Sequence, residues 1–157
     1  MTDRSRNNLL PSPAQADENQ ISSLHAHLEN LQGHLDRCQD IDEARLAKLV
    51  LSACQAIYDF EPASDALIAR KRRVFESINS GNMIMAICAV LPERISTRYG
   101  AKRDVAFARL ENERGTSVRT MSSSIERALL AAVIKMAIAL HADSQSLEGL
   151  HALRVAA

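Results

Sequence analysis

The sequence predicts an all-α protein: a single-domain bundle of five to seven helices over residues 18–157, behind a disordered N-terminal arm over residues 1–17. Three observations carry this expectation. Apolar residues recur at spacings of three and four along most of the chain, helix start and stop signals punctuate it, and no alternating strand pattern, hairpin signal or internal repeat stands out. A length of 157 residues suits one core, and a hydrophobic fraction of 46% is adequate to fill it.

The arm combines Ser, Asn, Asp, Gln and two prolines with little periodicity. From Glu18 the pattern becomes helical. Ile21, Leu24, Leu28, Leu31, Leu35 and Cys38 follow one another at spacings of 3, 4, 3, 4 and 3, an a/d seam of about two and a half heptads. His25, His27 and His34 flank it. Asp40 to Glu43 supplies an N-cap acid with Glu three residues on, and Leu46, Leu49, Val50, Cys54 and Ile57 mark the inner face of a second helix. A third helix over 65–80 places Leu67, Ile68, Val74, Phe75 and Ile78 on one face, with Lys71 in its middle, and stops at Asn79-Ser80-Gly81.

The continuous apolar run from Met83 to Leu91 reads as a short core helix, and Pro92 opens a turn that Gly100 closes. Residues 102–114 read as another helix, with Ala106, Phe107 and Leu110 on one side and Gly115 as C-cap. Ser123 to Glu126 forms a capping box for the strongest helix, 125–142, which is apolar around most of its circumference and therefore belongs at the centre of the bundle. A last short helix is expected over 146–155, weakened by Gly149.

The opening residues hold no apolar h-region, and neither long apolar run reaches the roughly 20 residues of a membrane span, so the expected location is the cytoplasm and no membrane partner is expected. Cys38, Cys54 and Cys88 are odd in number and widely spaced, which fits reduced thiols. Total charge is balanced, with 19 Lys+Arg against 19 Asp+Glu, but unevenly spread. Residues 1–63 hold five basic and ten acidic side chains, whereas residues 64–127 hold twelve and seven. Only 3% of residues are aromatic, little material for a stacked-base platform or a haem pocket.

No glycine-rich phosphate loop, nucleophile elbow or helically spaced carboxylate pair appears, so no catalytic residue is assigned and the protein is expected not to be an enzyme. No cofactor and no metal is expected either. His34 and Cys38 have chelating spacing, and Glu148 with His151 forms a single Glu-x-x-His pair, but a full site needs more ligands.

Two functions follow. The first is a regulatory or adaptor protein that works by protein association as a homodimer, through Ile21, Leu24, Leu28, Leu31 and Leu35 of the seam and through Lys71 and Phe75. The second is a DNA-binding regulator: residues 114–129 have the texture of a helix-turn-helix recognition half, and the basic middle offers Arg70, Arg72, Arg73, Arg103, Arg114 and Arg119, with Arg109, as one continuous face for phosphates.

Overall fold

The computed structural model describes residues 13–155 apart from Gln39, Phe60, Pro62 and Glu93, with side chains described from Ser22 to Ala142. The order of elements is α1 (Pro13–Arg37), α2 (Glu43–Tyr58), α3 (Asp65–Asn79), α4 (Met83–Val90), β1 (Ser96–Lys102), β2 (Val105–Glu111), β3 (Ser117–Ser122) and α5 (Ile125–Val155). Residues 1–12 of the expected arm lie outside the described residues, and helix already begins at Pro13.

The starts of α2, α3, α4 and α5 are each capped by a side chain of the preceding segment. Asp42 accepts from the Arg45 amide at 2.7 Å, Ser64 from Leu67 at 3.1 Å, Asn82 from Met85 at 3.2 Å and Ser124 from Arg127 at 3.3 Å. Gly81, at φ +72, terminates α3 in the left-handed conformation that suits glycine.

The all-α expectation is overturned by a three-stranded antiparallel sheet, ordered β1-β2-β3, over residues read as a turn and a helix. The reason lies in which side chains face inward. In β2 the buried residues are Ala106, Ala108 and Leu110, while Val105, Phe107, Arg109 and Glu111 point the other way. An inward face of alanines and an outward face with Val and Phe hides the polar–apolar alternation that marks a half-buried strand. The turn between β1 and β2 is concealed as well. Arg103, at φ +56, occupies its left-handed position without the usual glycine or asparagine. The helix-turn-helix expectation for 114–129 falls with the helix at 102–114, since Ser117–Ser122 is strand.

The centre of the molecule is α5, as expected from its apolar circumference. From Ala128 to Ala137 every side chain but Lys135 is buried. The inner face of the sheet packs on one side of it, and α1 and α4 pack on the helix elsewhere. Thr120, buried on β3, donates its hydroxyl to the carbonyl of Ala128 and ties the sheet to the first turns of α5. A separate terminal helix at 146–155 is corrected: Ile125–Val155 is one continuous helix through Gly149.

The leucine seam is internal. Leu24, Leu28, Leu31 and Leu35 are buried in the core of a single chain, where α1 packs on α5 and α2, so they present no surface to a second subunit. Ile21, the first residue of that expected interface, lies outside the described side chains. Among the described residues no helix is long and apolar enough to cross a membrane.

Candidate functional site

The outer face of the sheet aligns three like charges in register. Register places Arg98 of β1 opposite Arg109 of β2, and Arg109 opposite Arg119 of β3, so the three guanidinium-bearing residues form one row perpendicular to the strands. Adjacent strands lie about 4.8 Å apart, so the row spans about 10 Å. All three side chains are exposed. Like charges directly opposite one another on neighbouring strands destabilise a sheet.

Among the described residues, compensation is confined to the middle of the row. Arg109 donates from Nη2 to Glu111 at 3.0 Å and from Nε to the Ser117 hydroxyl at 3.2 Å. Arg98 and Arg119 have neither an ion pair nor a side-chain hydrogen bond among the described residues. The wider segment 94–122 holds seven Lys/Arg against three Asp/Glu in a chain of zero net charge.

Two positions further along the strands comes a second row, Gly100, Phe107 and Met121, on the same outer face. Phe107 is half-buried although it points outward, because its ring leans across the bare backbone of Gly100. A Cβ at Gly100 would meet Phe107 Cζ at 3.1 Å and Cε1 at 3.2 Å. Met121 is 64% exposed. Together Arg98, Phe107, Arg109, Ser117 and Arg119 line a shallow depression of about 290 Å³.

The expected basic face is largely dispersed by the fold. Arg70 is buried on α3, where it pairs with Glu61 and lies over the Tyr58 ring at 5.1 Å. Arg72 and Arg73 sit on the same helix, away from the sheet, while Arg103 and Arg114 occupy the turns at opposite ends of β2. Only Arg109 and Arg119 are brought together, and Arg98 joins them. Arg98 and Phe107 are the residues that sequence reasoning missed; a period-two reading of Thr97-Arg98-Tyr99 beside Phe107-Ala108-Arg109 is the signal that would have paired them.

The α3 expectation shifts by one residue. Leu67, Arg70 and Val74 form its buried face, Lys71 is half-buried with its ammonium 5.6 Å from the Tyr58 ring, and Ile68 and Phe75 are exposed. A second depression, between α1 and α2, is lined by His27, His34, Arg45 and Lys48 among others. Its two cations, Arg45 and Lys48, both stand on α2, and α1 contributes no Lys or Arg to the lining.

Burial governs the perturbed titrations. It pushes the Cys54 thiol up to about 11, against the opposing pull of the side-chain interaction with Tyr58 and of the Lys71 and Arg70 charges. Burial also raises Cys88. Both thiols are thereby held in the protonated, weakly nucleophilic form. Among the described residues no three His, Cys, Asp or Glu side chains come together as a metal site, and the Glu148–His151 pair lies outside the described side chains. No protein-family model, no curated protein and no solved structure matches the chain.

Proposed function

We propose that this chain is a non-enzymatic binding protein that docks a polyanionic partner on the outer face of its sheet. The observation that carries the reading is the register row Arg98–Arg109–Arg119. A row of like charges with a single internal carboxylate is a standing electrostatic cost, and an anion laid across the strands converts it into attraction. Arginine suits this role because its planar fork grips phosphate or carboxylate oxygens in pairs. The two thiols held neutral by burial belong to packing rather than to chemistry.

Titration of the protein with a fluorescent polyanion at low salt tests the reading. Arg98→Gln/Arg119→Gln is expected to weaken binding at least about tenfold with the fold unchanged, since each charge-assisted contact contributes about 1.5–3 kcal/mol. Absence of binding by the parent protein at low salt refutes it.

A second reading, association with a partner protein, is favoured by α3. Ile68 and Phe75, seven residues apart and so on one helical stripe, are 56% and 53% exposed. This moves the expected protein interface from the leucine seam to α3, keeping Phe75 and placing Lys71 at its edge. Sedimentation that shows a strict monomer at high protein concentration removes self-association from this reading.

A further inference from the structure

We infer that the polyanion is a single-stranded nucleic acid, with Phe107 as the platform on which a base stacks; this rests on the polyanion-docking function proposed above. The argument starts from the two adjacent rows of the outer face. Arg98, Arg109 and Arg119 make the first, Gly100, Phe107 and Met121 the second, and two residues along a strand separate them by about 7 Å. A nucleotide lying on this surface sets its phosphate against the guanidinium row and its base over the second row.

Gly100 gives that second row its shape. With no side chain at this position the Phe107 ring leans over onto β1, its Cζ and Cε1 atoms close to where a Cβ would stand. The ring is thus fixed by the strand beneath it, and the side chain stays partly open to solvent. Met121, on the far side of Phe107, adds an exposed polarisable thioether to the same strip. Base–aromatic stacking tolerates any base, because every base has a π-face.

Charge complementarity alone is satisfied by three kinds of anion, and the second row separates them. A duplex offers phosphates but keeps its base faces stacked inside, so Phe107 gains nothing from it. An acidic peptide offers carboxylates to the arginines and has no flat ring to place over Phe107. A single strand uses both rows at once. The chain's low aromatic content limits the platform to one ring, so the contact reads phosphate and one base face rather than a sequence.

The full chain is titrated by fluorescence anisotropy with three labelled probes: an oligothymidylate of about 12 nucleotides, its duplex with oligodeoxyadenylate, which carries about twice the charge, and polyglutamate matched in charge to the single strand. The single strand is expected to bind about tenfold tighter than the other two, one such factor being 1.4 kcal/mol. With three phosphate contacts its affinity falls about 20-fold between about 50 and 200 mM salt. Phe107→Leu, which keeps an apolar side chain but removes the π-face, is expected to weaken single-strand binding about five- to hundredfold and to leave polyglutamate binding unchanged. The chain has no Trp, so Phe107→Trp supplies a sole indole whose emission is expected to be quenched by the single strand alone. This readout stands whether or not the leucine variant folds.

Equal affinity for all three probes, indifference to Phe107→Leu, or an unquenched indole overturns the inference and leaves the polyanion-docking function in place. Failure of every probe to bind at low salt overturns both.

Discussion

Arg127, in the first turn of α5, donates from Nη2 to the carbonyl oxygen of Leu35 in the last turn of α1, at 2.8 Å. The bond joins residues 92 positions apart and satisfies one of the carbonyls that a helix C-terminus leaves without an intrahelical partner. A cation there also meets the negative end of the α1 dipole.

Replacing this arginine therefore loosens the contact between the two helices. Arg127→Ala is expected to destabilise the protein by about 2 kcal/mol, the usual size for a hydrogen bond from a charged donor. In a domain of this length that lowers Tm by about 4–8 °C. Arg127→Lys, which keeps the charge and loses the fork, is expected to fall between the two. An alanine variant that melts with the parent protein refutes the role.

Stability is expected to fall at alkaline pH because of one buried pair. Burial is the largest cause that raises the Cys54 thiol to about 11, and burial likewise raises the Tyr58 phenol, whose hydroxyl donates to the Ala89 carbonyl at 3.0 Å. In the unfolded chain these groups ionise near 9.0 and 10.0. The unfolded state thus loses protons first, so the stabilisation is complete below pH 9 and is lost as pH rises above it. Denaturant midpoints measured from neutral to alkaline pH check this. Cys54→Ala should flatten the alkaline limb.

Acid pH acts in the opposite sense through His141. Burial lowers its pKa, repulsion from His25 lowers it further, and Glu61 pulls the other way. An imidazole harder to protonate in the fold than in the unfolded chain, where it titrates near 6.5, stabilises the protein above that value. The contribution is lost as pH falls below 6.5. His141→Gln is expected to make stability less dependent on pH across this window, as followed by thermal melts. A variant with the same acid slope as the parent refutes the assignment.

Helix α2 was legible because it sets an apolar stripe against a polar remainder and carries its own cap: Leu46, Val50, Cys54 and Ile57 are all buried as their spacing predicts. The sheet was not, because Leu110 is the one large side chain among its buried residues, with Ala106, Ala108 and Thr120, while Phe107 and Met121 face outward. The two inward alanines, set beside an outward Phe107, erase the hydrophobic alternation from the sequence. The candidate site shared that fate. Arg109 and Arg119 were visible as charges, but their alignment with Arg98 exists only once the strands pair in register. On α3 the error was a single residue, about 100° of helix rotation, which exchanges the Lys71 face for the Arg70 face.

That rotation makes Arg70 the cation whose pairing matters. Its side chain is 7% exposed and pairs with Glu61, which is 31% exposed, and its guanidinium lies over the Tyr58 ring. Removing the two partners should therefore have unequal effects. Glu61→Ala leaves a buried positive charge without its carboxylate, and is expected to destabilise the protein by about 2–3 kcal/mol, somewhat below the value for a fully buried pair because Glu61 is partly solvated. Arg70→Met fills most of the same volume with an apolar chain and frees Glu61 to meet water, so its expected cost is smaller, about 1 kcal/mol or less. The order of the two effects is the test. Urea denaturation in which Arg70→Met proves the more damaging substitution shows that the arginine contributes through contacts beyond its ion pair, and that the Tyr58 ring is the stronger partner.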